Sequence, residues 1–262
     1  MVPGMEIATL TGMTITNHQS QITNAADHGQ PMKNPFPPIA HLLVTLAWLM
    51  VATYLIFLYA PQELTMGEVQ RIFYIHVSSA WTALLAYFLI FLGSVDYLWT
   101  RSLAADDFAR AAAEVGFVFC SCVLVTGPLW AKPVWGIWWT WDARLTLTFV
   151  LWLLFVAYLM LRSYVTSPGR SAGLAAVVGI IGFVDVPIDY MAIRWWRTQH
   201  PQPVIAGGEG SGLDPQMWVT LLVTWGAFLC LFSYLVRQYL RLAVIEREMA
   251  QLRRWQDSIS RV

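Results

Sequence analysis

Four stretches of this chain, residues 42–60, 76–95, 145–161 and 217–236, run for 17–20 residues without one Asp, Glu, Lys or Arg. A helix needs about 20 mostly apolar residues to cross the hydrocarbon core of a bilayer. Inside lipid every backbone N–H and C=O must be satisfied within the chain, so such runs become helices. Two weaker runs complete the set. Residues 111–130 begin near Glu114, and residues 172–191 contain Asp185 and Asp189. The expectation is an all-α integral membrane protein with six transmembrane helices. Composition agrees: 57% of the chain is hydrophobic and 12% is charged, against about 25% charged in ordinary soluble domains.

Basic residues set the orientation, because Lys and Arg accumulate on the cytoplasmic side. With a cytoplasmic N-terminus, Lys33, Arg101, Arg110, Arg162, Arg170, Arg237, Arg241, Arg247, Arg253, Arg254 and Arg261 fall inside. Arg71, Lys132, Arg144, Arg194 and Arg197 fall outside. The division is 11 against 5, so both termini are expected in the cytoplasm. Residues 1–40 are polar, carry Pro35, Pro37 and Pro38, and lack the pattern of a signal peptide. They read as a flexible cytoplasmic tail, with His18 and His28 incidental. Residues 41–240 form the membrane domain and residues 241–262 a cytoplasmic C-terminal helix or tail. That charged end is either a solvated terminus or a docking surface. A formal net charge of zero gives no sign of a nucleic-acid partner. Cys120, Cys122 and Cys230 lie in apolar runs and read as small buried residues.

This topology leaves three external segments, 61–76, 131–143 and 192–216, and the chemically informative residues gather on them. The second, between helices 3 and 4, is an aromatic loop. Five of the 14 tryptophans lie between Trp130 and Trp141. Interfacial anchoring explains isolated tryptophans, but poorly explains Trp135, Trp138, Trp139 and Trp141 around Gly136. Indoles cover flat apolar surfaces well. His76 stands at the outer start of the second span and His200 just after the fifth. Histidine is a common axial ligand of haem iron, so two outward histidines with a tryptophan shelf suit a bis-histidine haem. Haem also carries carboxylates, which arginine grips with a planar fork. Arg71, Arg144, Arg194 and Arg197 are the candidates. Asp142 and Arg144 serve equally well as a pair or as a helix cap. His41 falls at the inner end of the first span, outside this constellation. Asp185 and Asp189, four residues apart and so on one helical face, either orient an arginine or belong to a proton path.

The segment 135–146, WGIWWTWDARLT, is similar to the tryptophan-rich WWD signature of the haem-handling proteins of cytochrome c biogenesis. The histidine-bearing segments 71–81 and 195–201 look like those of the haem exporter protein C (CcmC) branch of that family. The resemblance covers roughly residues 40–240. It implies a bacterial inner-membrane protein that binds haem b as transient cargo on the periplasmic side. His76 and His200 would be the axial ligands. Trp135, Gly136, Trp138, Trp139, Trp141, Asp142, Arg144, Arg71 and Arg194 would line or support the site. It further implies transfer of the haem to the chaperone CcmE, in an ABC-type complex with CcmA, CcmB and CcmD. The chain has no GxxxxGK[ST] loop, so ATP hydrolysis would belong to a partner.

Three other readings compete. A haem lyase acting directly on apocytochrome c would join haem to a CxxCH peptide without the chaperone. A haem translocation channel would need a second, inner haem site, and His41 alone supports that poorly. A membrane electron carrier would keep its haem, and such carriers usually take their ligands from within helices.

Overall fold

Two helices of 29 and 33 residues, joined by a two-residue turn, form the centre of the molecule. The computed structural model describes residues 38–165, 167–202 and 212–259. Most of the expected N-terminal tail, part of the third external segment and Arg261 lie outside the described residues. Among the described residues the elements are helices and turns. α1 is Pro38–Tyr54, extended by a π-helical turn at Leu55–Tyr59. A 3-10 turn, Glu68–Arg71, leads into α2, Ile72–Thr100. α3 is Leu103–Trp135, α4 is Ala143–Tyr164, α5 is Pro168–Gly182, α6 is Asp185–Trp195 and α7 is Pro215–Ile259. With α5 and α6 taken as one broken span, six helical segments are long and apolar enough to cross a membrane.

The helix boundaries follow local rules. Arg101 ends α2 in the left-handed conformation at φ 59°, and the Ser102 hydroxyl accepts from Ala105 N to start α3. Gly136 ends α3 at φ 79°, a conformation that glycine enters without Cβ strain. Asp142 caps α4, its carboxylate accepting from Leu145 N at 3.0 Å. α3 continues through Pro128 and Pro133, so the connection to α4 is residues 136–142 rather than 131–143. Residues 72–76, expected in a loop, are the first turns of α2. The last span and the charged C-terminal segment are one 45-residue helix.

Small residues hold the bundle together, as expected where lipid removes the hydrophobic drive between helices and close backbone approach supplies packing. Ala83 and Ala86 on α2 share one buried cluster with a run of alanines, Ala111–Ala113, on α3. At Gly116 a Cβ would stand 2.6 Å from Ala86 Cβ and 2.7 Å from the Phe155 ring. Gly116→Ala is therefore expected to cost about 1–3 kcal/mol through overpacking. Thermal unfolding in detergent measures this, and an unchanged midpoint would contradict the close contact.

At the end of the bundle where α3 begins, charges lock the helices. Arg162 of α4 grips Asp106 of α3 through two hydrogen bonds of 2.6 and 2.7 Å. The neighbouring Asp107 pairs with Arg247 of α7, and Arg110 lies 3.8 Å from Glu246. The cleft described next lies at the other end.

Candidate functional site

α2, α3, α4 and α6 converge with the 136–142 connection and residues 200–202 around a cleft of about 1350 Å³, its open mouth included. Its walls are mostly apolar and aromatic: Phe73, Trp81, Trp130, Trp135, Trp138 and Trp139. The polar groups facing it are few and include His76, His200, Arg144, Thr148 and Asp189. This matches a binding site in which apolar walls supply area and a few polar groups fix orientation.

Hydrogen bonds assign the proton on both histidines. His76 Nδ1 lies 2.9 Å from Thr126 Oγ1. That hydroxyl has one proton and gives it to the Cys122 carbonyl, 2.6 Å away. Thr126 Oγ1 therefore accepts from His76 Nδ1–H, and the neutral imidazole keeps its lone pair on Nε2. Gly127 makes room for the ring: a Cβ there would lie 3.3 Å from His76 Cε1. His200 reaches the same state by a different route. Its Nδ1 lies 2.8 Å from the Pro201 carbonyl, which can only accept, so Nε2 again carries the lone pair. Burial first, then the neighbouring Arg144 charge, push the His200 imidazole down to about 4, so it is neutral near pH 7. A ring N–H tied to a hydroxyl or carbonyl and a free Nε2 is the usual preparation of a metal-ligating histidine.

The aromatic connection is braced rather than loose. Lys132 Nζ donates to the Gly136 carbonyl at 2.8 Å and lies 5.9 Å from the Trp138 ring centroid. Trp130 meets Trp135 edge to face at 5.2 Å, and Trp139 meets Trp141 at 5.7 Å. Trp139 Nε1 is buried without a hydrogen-bond partner among the described residues. A ligand acceptor in the cleft would satisfy it.

Asp142 ties this connection to the His200 segment. Burial works to raise its pKa, but hydrogen bonds from Leu145 N, Thr198, Thr140 and Gln199 N outweigh it and hold the carboxyl below its usual range. The His200 backbone N–H in turn donates to Thr198 Oγ1 at 3.0 Å. Asp142 thus positions the histidine loop while capping α4.

Of the expected site residues, the structure brings His76, His200, Trp135, Trp138, Trp139 and Arg144 to the cleft wall. Gly136 and Asp142 shape the connection behind it. Trp141 is 74% exposed and packs on Trp139 and Phe149. Arg71 turns away, donating to Glu68 and to the Ile56 carbonyl. Arg194, exposed near the end of α6, is outside the cleft lining. Sequence reasoning did not find Thr126 or Gly127. Both sit in an apolar run, and only the i−4 carbonyl bond typical of a helical threonine singles out Thr126.

A family model described as heme exporter protein C matches residues 21–255. The chain is 34% identical over 234 residues to heme exporter protein C of Bradyrhizobium diazoefficiens, covering 87% of this chain and 89% of the relative. It is 33% identical over 222 residues to heme exporter protein C of Escherichia coli K12, covering 82% and 84%. The chain belongs to the heme exporter protein C family. A ccmC-like mitochondrial cytochrome c biosynthesis protein of Marchantia polymorpha is also similar, at 33% identity over 191 residues, 72% of this chain and 81% of the relative. The family match takes in α1 to α6 and most of α7.

Proposed function

We propose that this chain binds haem as cargo in the cleft and hands it on for cytochrome c biogenesis. Its family and the names of its relatives support the haem and the pathway. The observation that carries the site is the pair of histidines with Nδ1 engaged and Nε2 free, facing one aromatic cleft. In this reading His76 and His200 ligate the iron. Trp135, Trp138 and Trp139 cover the macrocycle, and Arg144 takes a propionate as a carboxylate ligand. Trp139 Nε1 supplies a further donor. Gly136, Trp141 and Asp142 keep the connection in shape, while Arg71 and Arg194 act outside the cleft.

The excess of basic residues at the other end supports a cleft on the periplasmic side of the cytoplasmic membrane, with both termini inside. The recipient is the haem chaperone CcmE, and CcmA, CcmB and CcmD complete the complex. The protein's contribution to transfer is positioning: holding the cargo against the recipient removes much of the entropic barrier. The covalent chemistry belongs to haem.

The test is a visible absorption spectrum of detergent-purified protein made under haem-replete conditions, with and without the chaperone. The expected result is a low-spin, two-imidazole spectrum that fades from this protein as the chaperone gains haem. A haem-free protein in both preparations would overturn the reading.

A further inference from the structure

At the cleft wall Arg144 pairs with Asp189, and a second carboxylate, Asp185, stands nearby. Asp185 and Asp189 stand one turn apart on α6, both at least nine-tenths buried. Arg144, 14% exposed, lies 3.4 Å from the Asp189 carboxylate and also donates to the Asp189 carbonyl. Asp185 Oδ2 has no hydrogen-bond partner among the described residues. Two ionised carboxylates against one arginine would leave an uncompensated charge in a low-dielectric interior, which costs far more than holding a proton. Of the two, Asp189 has the arginine and Asp185 the bare oxygen, so Asp185 is the better holder of that proton.

We propose that a carboxylate arriving at Arg144 is bound together with one proton, which Asp189 takes up. The inference rests on the reading of the cleft as a haem site and extends it to how the cargo's carboxylate is admitted. The incoming anion competes with Asp189 for the same guanidinium. If Asp189 stayed ionised, it would lose its counter-charge while remaining 2% exposed. Neutralising it restores the balance: the Asp189 carboxylate plus a solvent proton gives the carboxylic acid, and Arg144 turns to the new anion.

The site can hold the acid as well as the anion. Thr148 Oγ1 lies 3.0 Å from the Arg144 carbonyl, 3.3 Å from Asp189 Oδ1 and 3.5 Å from Oδ2. An ionised Asp189 can accept the hydroxyl's single proton; once Asp189 is protonated, the hydroxyl turns it to the Arg144 carbonyl, which can only accept. The hydroxyl oxygen is then an acceptor for an Asp189 O–H.

The other titratable groups facing this cluster are few. Tyr87 of α2 faces Asp185, and Cys120 of α3 faces both carboxylates. His76 and His200 face Arg144 from the cleft side. Tyrosine and cysteine ordinarily ionise above pH 8, and His200 is neutral near pH 7, so between pH 6 and 8 the carboxylates and His76 are left to respond, and the Asp189→Asn variant separates them.

Metal-free protoporphyrin IX separates this from iron ligation, because it has both carboxylates and no iron. Its affinity for the full-length protein in detergent, read by fluorescence, is expected to fall by about tenfold per pH unit between pH 6 and 8, the slope of one linked proton. The dimethyl ester should show no slope. Asp189→Asn should bind the dicarboxylate with no slope, and Asp185→Asn, whose proton is already in place, should keep the wild-type slope. A flat wild-type profile, or an Asp189→Asn profile as steep as wild type, overturns the proton-coupled site while leaving the cleft's haem role standing. Failure of the wild type to bind the porphyrin at any pH overturns this inference, while the haem reading stands or falls on the absorption spectrum described above.

Discussion

Replacing both His76 and His200 with alanine is expected to give a protein that keeps its helices and purifies without haem. Both rings line the cleft, neither belongs to the buried apolar core, and alanine is well tolerated in the helix that carries His76. The fold should survive, while an iron held as proposed would lose both nitrogens. Each single variant keeps one ligand, so a shifted, weaker spectrum is expected from each. Thr126→Val refines the test. It removes the acceptor that fixes the His76 tautomer without touching the ligand, and losing such an outer partner costs roughly 10–100-fold in affinity. Thr126→Ser keeps the hydroxyl and should bind as wild type. Haem titration followed by visible absorption measures the whole series. A double-histidine variant with the wild-type spectrum would sink the axial assignment.

The second large effect is at the opposite end. Asp106→Ala strips Arg162 of both its short hydrogen bonds. The two side chains are each 12% exposed, so the arginine is left as a buried charge with its counter-ion gone. Breaking such a pair costs about 3–5 kcal/mol, whereas replacing both partners by apolar residues of similar size is often neutral. Asp106→Ala alone is therefore expected to unfold at a much lower temperature in detergent. The double variant Asp106→Leu/Arg162→Met should recover most of the loss. Equal destabilisation in the single and double variants would mean that the ion pair is not what matters there.

These two ends of the molecule were unequally legible in the sequence. The spans could be read because lipid imposes one rule, length without charge, and runs such as 42–60 and 145–161 obey it locally. His76, His200 and the tryptophans could be grouped because the expected topology puts them all on one side of the membrane, and the structure brings both histidines with Trp135, Trp138 and Trp139 to one cleft. Partnerships between distant residues could not be read. Arg144 carries no mark that separates it from Arg71 or Arg194, yet a fold that brings α6 against α4 puts Asp189 beside it, while Arg71 finds Glu68 three residues away. Thr126 acquires its role only when α2 and α3 pack. The extent of α3 was hidden for a different reason. Pro128 and Pro133 signal a helix end, but neighbouring helices and the braced connection hold the backbone helical through both. The continuity of α7 was obscured by its change from apolar to charged near Arg237. That change ends a span but not a helix.

The hydrogen bonds that Asp142 accepts from the Thr198 hydroxyl and the Gln199 backbone N–H have a mechanical meaning. They fasten the tryptophan-bearing and histidine-bearing walls of the cleft to each other. A hinge that moved one wall would drag the other. Cargo held between them would leave in one stroke, when that single latch yields, instead of peeling away wall by wall.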